Sequence, residues 1–295
     1  MQDKRNAMKI TRDYFDSLLI EMRHLDSQVP HTELHLFGET FQTPIMMAAL
    51  SHLQQVRENG MVLMAEAAKA SNAVMWCGMG PEQELEDILA TGAKTIKIIK
   101  PYADRDSIYG KIQHAADCGA LAVGMDIDHQ YNGSGHPDLV EGMQMAPVST
   151  QELGEFVKSS PLPFVVKGVL SVQDAVKCMQ VGASAIVLSH HNGIIPYAVP
   201  PLMVLPDIAK AVKGKMKIFV DCGIETGADA FKALALGADA VSVGKPMMGC
   251  MKENGVQGMI DKIDDITNEL RGIMARTSSN TLKGITADLL HMRNF

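Results

Sequence analysis

The chain has 295 residues, 46% of them hydrophobic, and a formal net charge of -7 at pH 7. That apolar content supports a large core and argues against global disorder, while an acidic balance with no long run of either sign argues against nucleic acid or an anionic membrane as a main partner. No stretch approaches the roughly 18–20 apolar residues of a membrane span, the N-terminus lacks a signal-peptide core, and five cysteines, odd in number and never in a Cys-x-x-Cys pair, read as reduced thiols of a cytoplasmic protein.

Residues 1–42 are expected to form a helix and a short element that closes a barrel bottom or packs beside it. Residues 43–295 then alternate short apolar runs with amphipathic segments. The first run, "TPIMMAAL" (43–50), is followed by helical "MVLMAEAAKAS". "AVMWCGMG" (73–80) leads into "PEQELEDILATG", and "TIKIIK" (95–100) into "DSIYGKIQHAADCGA". "ALAVGMDI" (120–127) precedes an irregular stretch, 128–149, and then "STQELGEFVKSS". "FVVKGV" (164–169) leads into "SVQDAVKCMQVGA", "AIVLSHH" (185–191) into "PLMVLPDIAKAVKG", and "KIFVDCG" (217–223) into "TGADAFKALALGA". The eighth run is "AVSVGKP" (240–246). Continuous apolar runs suit strands buried on both faces. A Gly-Ala step recurs between helix and strand at Gly92, Gly119, Gly182 and Gly237, where a left-handed C-cap is wanted. Ser171 and Asp174 resemble a capping box. Eight successive βα units predict a single (β/α)8 barrel, with a doubly wound open sheet as the lesser alternative.

In such a barrel the C-terminal strand ends converge on one pocket. Strand 1 brings Ala48 and Ala49, small enough to leave room for a flat group. Strand 3 brings Lys100 and Tyr102, and strand 4 brings Asp126, Asp128 and His129. Lys167 sits between apolar residues in strand 5 and cannot easily reach bulk water, so it is either a fixed cation aimed at a pocket anion or half of a buried ion pair with a strand-4 aspartate. Strand 6 brings Ser189, His190 and His191. His191 is the candidate base, and His190 should face the outer layer or a neighbouring loop. Strands 7 and 8 bring Asp221, Gly223, Gly244 and Lys245, whose glycines, helix start and lysine suit a phosphate. A divalent ion on His129, His136, His190, His191, Asp126 and Asp128 is the rival idea, but no compact ligand spacing supports it and no metal is assigned.

The segments "VVKGVLSVQDAVKCMQVGASAIVLSHHNG", "VPPLMVLPDI", "KIFVDCGIETGADAFKALALGADAVSVGKP" and "ELRGIMARTSSNTLKGIT" resemble the FMN-dependent α-hydroxy acid dehydrogenase/oxidase family. The likeness runs almost without gaps from about 163 to 288, is weaker from 43 to 127, and is slight over 1–42. It implies a TIM barrel with FMN at the C-terminal face. By position, Lys167 matches the lysine beside flavin N1/O2, Ser189 the strand-6 serine beside the ring, and His191 the catalytic base. Asp221 matches the strand-7 aspartate near that base. Gly223, Gly244 and Lys245 match the FMN phosphate cradle, and Ala48 and Ala49 lie against the flavin. Lys100 and Tyr102 stand where the family has a Gln-x-Tyr pair near flavin and substrate, and Asn192 joins His191, Tyr102 and Lys100 as a substrate contact.

The departures concern the substrate. Three residues after the base, where the family pairs an arginine with the substrate carboxylate, this chain has Ile194. Glu225 stands where the family has an arginine near the phosphate, and Gly124 where it has a strand-4 threonine. No counterpart of the N-terminal substrate tyrosine is found. Lys100 is the best candidate to replace the missing cation. The resemblance therefore implies an FMN-dependent oxidoreductase that moves a hydride from a hydroxyl-bearing carbon of a small 2-hydroxy acid or related polar alcohol. The alternatives are an FMN-dependent isomerase of the type 2 isopentenyl diphosphate isomerase kind and an inactive flavin- or phosphate-binding barrel. A flavin-free barrel of the IMP-dehydrogenase kind is disfavoured because "SHHNGIIPY" has no cysteine. The expected partner is a small-molecule substrate, with no nucleic acid and no membrane, in a homo-oligomer (tetramer or octamer).

Overall fold

A computed structural model describes residues 5–293, so residues 1–4, 294 and 295 of the two expected segments lie outside it. Eight parallel strands form one sheet: β1 (Ile45–Met47), β2 (Met75–Cys77), β3 (Thr95–Ile99), β4 (Ala122–Asp126), β5 (Phe164–Val169), β6 (Ala185–Leu188), β7 (Lys217–Val220) and β8 (Ala240–Val243). Each of β2 to β8 pairs with its sequence neighbour, and β8 pairs with β1. Met47 N–H donates to the Val74 carbonyl and Gly78 N–H to the Leu50 carbonyl, at 2.9 Å each, which joins β1 to β2 and closes the circle. The fold is a (β/α)8 barrel, as the repeating units require.

The helices are α1 (Arg5–Ser17), α2 (Gly60–Ala70), α3 (Glu82–Ala90), α4 (Arg105–Asp117), α5 (Thr150–Ser159), α6 (Val172–Gln180), α7 (Pro201–Val212), α8 (Gly227–Ala235) and α9 (Lys245–Arg276). Ser149 and Thr226 form complete capping boxes with Glu152 and Asp229. Ser171 caps α6 by accepting from Asp174 N–H, and its hydroxyl donates to the Asp174 carboxylate, so the reciprocal limb reaches the Ser171 side chain. The four Gly-Ala glycines all take positive φ and end their helices. The 32-residue α9, kinked at Gly255, has no counterpart in the sequence reading, because its glycines and scattered charges hide its apolar period.

Two apolar layers result. Strand residues facing out pack against the helices, while those facing in form a separate cluster around Trp76 and Phe219, whose rings meet edge to face at 5.8 Å. A hairpin, Leu34–Leu36 with Glu39–Phe41, inserts Leu34, Leu36 and Phe41 into that inner cluster. It stops the barrel like a plug. Helix α1 does something different. It packs near β7 and α8, with Arg12 forked onto the buried Asp229 at 2.7 and 3.1 Å. The irregular stretch 128–149 is locally ordered by a two-residue hairpin, Leu139–Val140 with Met143–Gln144, and by Asn132, whose side-chain oxygen accepts from Ser134 and His136 N–H.

Candidate active site

Three interrupted strand ends build the site. In β5 the ladder shifts register between Lys167 and Val169, with Gly168 at φ 93°. A Cβ at Gly168 would lie 2.8 Å from the carboxyl carbon of Asp128, so glycine is needed for that carboxylate to close in. After β6 the chain turns through left-handed His191, Asn192 and Gly193. Ser189 Oγ accepts from His191 N–H at 3.0 Å and so pins the turn. After β7, Cys222 and Gly223 repeat the left-handed pair. Two consecutive non-glycine residues with positive φ beside a cavity are strain held by the surrounding structure, at a cost on the order of 1–3 kcal/mol each.

The strand ends hold a charged cluster. Lys167 is 5% exposed and lies 3.6 Å from Asp126, 3.8 Å from Asp221 and 3.5 Å from His191 Nδ1. Lys100 donates to Asp126 Oδ2 at 2.8 Å. His191 Nδ1 donates to Asp128 at 3.0 and 3.2 Å, and His191 Nε2 lies 3.0 Å from His129 Nε2. His129 Nδ1 in turn lies 3.3 Å from Asp138. Burial alone would raise the Asp126 carboxyl, but the charges of Lys167 and Lys100 outweigh it and hold it well below the usual carboxylate range. Asp128 goes the other way, pushed up to about 6 by burial and by the Asp126 charge. Burial opposes the charge on Lys167, yet Asp126, Asp221 and Asp128 raise its affinity for the proton. Burial likewise lowers His191, but hydrogen bonds to Asp126 and Asp128 more than compensate, so its affinity is raised. His129 is pushed down to about 4 by burial and the nearby positive charge of Lys100 and His191.

One cavity of about 340 Å³ opens at this end of the barrel. Lys167, His191, Asn192, Asp221 and Ser242 line its inner end, Ala48 and Ala49 a side, and Gly223, Glu225, Gly244 and Lys245 its outer end. Helix α9 starts here at Gly244 without a side-chain cap, which leaves the positive end of its dipole open to an anion. A Cβ on Gly244 would come within 3.3 Å of Ala48 Cβ and fill the cradle. Small residues along one wall, an uncapped helix start with a lysine at one end and a buried cation at the other fit a flat ring system carrying a phosphate. The one misfit is Glu225, an exposed carboxylate that lines the same cavity as Lys245.

The remaining expected residues have other positions. Lys100, Tyr102 and Ser189 do not line the cavity. Lys100 is committed to Asp126, and Tyr102 is buried in the outer apolar layer under Lys111, 5.8 Å from its ring. Lys167 combines both readings the sequence left open, being ion-paired to the strand-4 aspartate and also facing the cavity. His190 faces α1, where its Nε2 meets Thr11 Oγ1 at 2.8 Å, and burial lowers its proton affinity. Asp126, Asp128 and His129 converge with His191 so that one donor atom from each lies within 4.8 Å of the others. Both nearby ammonium groups, those of Lys100 and Lys167, lie on Asp126, while Asp128 is held by His191. The sequence places Asp128 and His129 at this strand end with no role beyond the rival metal site. The signal was the polar run "DIDHQ" directly after a buried strand. The Cys222 thiol, pushed up to about 12 by burial and by Asp221, donates to that carboxylate at 2.9 Å and is no nucleophile.

A proton-accepting imidazole and an anion seat at opposite ends of one cavity suit a bound phosphate-bearing redox cofactor, as in a flavin oxidoreductase of the barrel class. A family profile described as FMN-dependent dehydrogenase matches residues 1–152 and 138–292. The chain belongs to that family, it is an enzyme, and its cofactor is FMN. It is 29% identical to an L-lactate oxidase of Roseobacter sp. (strain GAI101), over 88% of this chain and 80% of that protein. It is 25% identical to a peroxisomal (S)-2-hydroxyacid oxidase of Arabidopsis thaliana, over 94% of this chain and 84% of that protein. A solved structure of a mandelate oxidase variant with a monooxide FMN adduct superposes with a TM-score of 0.89 at 26% identity, covering 98% of this chain and 92% of that one. Among the described residues, no helix is long and apolar enough to cross a membrane.

Proposed function

We propose that the enzyme oxidises the hydroxyl-bearing carbon of a small 2-hydroxy acid or a related polar alcohol, with His191 as the base. The observation that carries this is the imidazole held through Nδ1 by Asp128, beside Lys167 and on the wall of the FMN cavity. FMN, when bound, supplies the hydride acceptor at N5. Asp128 fixes the tautomer and plane of His191, leaving Nε2 to take the hydroxyl proton. Lys167 keeps a fixed positive charge at the inner end of the cavity, where it offsets negative charge developing on the cofactor. Ala48 and Ala49 leave room for the ring system, while Gly244, Lys245 and the start of α9 hold the phosphate. Asp221 holds Lys167 from the other side at 3.8 Å.

The family supports oxidation over the isomerase reading. The substrate carboxylate has no guanidinium waiting at position 194, so the reading extends to alcohols whose neighbouring group is polar rather than anionic. A cytoplasmic setting and a homo-oligomer belong to the same proposal; five unpaired thiols support the first. The test is anaerobic bleaching of the FMN absorbance by a panel of hydroxy acids and sugar-derived alcohols. At least one class should bleach it, and His191→Ala should retain FMN yet lose the bleaching. Unchanged bleaching in that variant removes His191 from the mechanism.

A further inference from the structure

The reactive nitrogen of the base is not free in this structure. His191 Nε2 lies 3.0 Å from His129 Nε2, with the two rings edge to face at 4.1 Å. Each ring has a carboxylate on its other nitrogen: Asp128 on His191 Nδ1 at 3.0 Å and Asp138 on His129 Nδ1 at 3.3 Å. Where both carboxylates are ionised they accept, and each Nδ1 then carries hydrogen. Two bare lone pairs would then face each other at 3.0 Å. Nitrogen atoms hold that distance when one proton lies between them. Counting hydrogens therefore gives three on four nitrogens, one shared by both rings.

We propose that His129 and His191 form one proton-holding unit, in which His129 accepts the hydrogen bond of protonated His191 and so sets the pH at which the base becomes free. His129 is a positioning residue that acts through His191. When the substrate O–H bond breaks, the proton forms an N–H bond on His191 Nε2, and His129 Nε2 accepts from it. The hydride goes to the flavin as in the reaction already proposed, on which this inference rests. The proton later leaves the pair to water, and the free pair is restored.

The surroundings decide which ring keeps the proton. Lys100, on Asp126, disfavours a positive charge on His129, while Asp126 and Asp128 favour one on His191 against Lys167. Asp221 and Cys222 act on Lys167 from the turn after β7, and Asp138 faces His129 from the loop after β4. The proton therefore resides on His191, and His129 serves as acceptor.

The test is a pH titration of the imidazole 15N signals in 15N-histidine-labelled, FMN-loaded enzyme without substrate, comparing the parent with His129→Phe and His129→Gln. Loss of the acceptor in His129→Phe should lower the His191 midpoint by about one pH unit, tenfold in proton affinity. His129→Gln keeps an acceptor oxygen and should restore most of that shift. The acid limb of anaerobic FMN reduction should move with the His191 midpoint. If His129→Phe loses FMN, Asp138→Asn gives the same sign, because a weaker partner on Nδ1 makes His129 Nε2 a poorer acceptor. A His191 midpoint that is unchanged in His129→Phe, or in Asp138→Asn where that is the variant that holds FMN, overturns the proposal. So does one equivalent of a divalent ion by elemental analysis whose removal by chelator shifts both rings' signals together. The titration reads His191 directly, so its failure is distinguishable from a failure of the hydroxyl-oxidation reading, which the bleaching panel decides.

Discussion

The two ends of the cavity are built from different materials. The outer end, from β1, β8 and the loop after β7, relies on alanines, glycines and the start of α9. Behind the inner end, from β3, β4, β5 and β6, stands a lattice of buried or half-buried charges, Lys100, Asp126, Asp128, Lys167 and His191, of which Lys167 and His191 reach the cavity. A backbone seat constrains residue size, and Ala48, Ala49, Gly223 and Gly244 are all small. A charge lattice constrains only the sum of the charges and the hydrogen bonds. Residue types in such a lattice can vary, provided the charges still balance. The proposed cofactor seat therefore rests on residue size, and the proposed substrate end on charge balance.

The comparison breaks most severely at the base. His191→Ala should lower anaerobic FMN reduction by about 10²–10⁴-fold, the usual worth of a positioned general base, while the yellow colour survives because the outer end is untouched. Stopped-flow absorbance of the loaded enzyme checks it, and a variant that reduces at the parent rate would reassign the base. Lys167→Met should follow. It removes the cation shared by Asp126 and Asp221, leaving Asp126 to Lys100 alone and Asp221 without its ion-pair partner; breaking a buried pair in this way costs about 3–5 kcal/mol. Thermal unfolding should drop sharply and FMN retention with it. A Lys167→Met protein as stable as the parent would mean that Lys100 alone holds Asp126. Gly168→Ala tests the same lattice from the backbone: a Cβ at φ 93° meets the Asp128 carboxylate, so His191 should lose its Nδ1 partner and its raised proton affinity.

That last point fixes the sign of the pH dependence. His191 binds its proton more tightly than an ordinary histidine, whose midpoint is 6.5. The base form therefore appears only as pH rises through that raised midpoint, and FMN reduction should climb with pH above 6.5 rather than level off below it. In Gly168→Ala the climb should begin at lower pH. A rate that is flat from pH 6 upwards would contradict the assignment.

How far the sequence could be read follows the same division. Strand runs, Gly-Ala helix stops and the glycine–lysine seat are local patterns, and each strand was legible to within a few residues. The positions of His191 and the buried lysine on the cavity were legible because polar residues at the ends of apolar strands are rare. The partnership of His129 with His191 was not, since it joins residues 62 positions apart through a loop whose path the pattern does not set. Lys100 looked free because sequence shows a cation without showing its partner; Asp126, 26 positions away, holds it. The long α9 was missed for a physical reason too. Gly249, Gly255, Gly258 and Gly272 interrupt its apolar stripe, and its stability comes from packing on α2 and α8 rather than from propensity.

The smallest effect should come from the outer end. Glu225 and Lys245 are both exposed and both line the cavity, so the carboxylate offsets part of the lysine's charge at the proposed phosphate seat. Exposed charges interact weakly across water, by about 0.2–1 kcal/mol. Glu225→Gln should therefore tighten FMN binding only a few-fold at low ionic strength, and the gain should fade as salt rises because screening acts on exactly this kind of pair. Glu225→Arg should tighten it further without changing the reduction rate of the loaded enzyme, since the inner lattice is untouched. Fluorescence titration of apoenzyme with FMN at two salt concentrations measures both. A Glu225→Gln enzyme that binds FMN more weakly would show that this carboxylate holds the loop after β7 in its left-handed turn, making the rim a structural element rather than an electrostatic one.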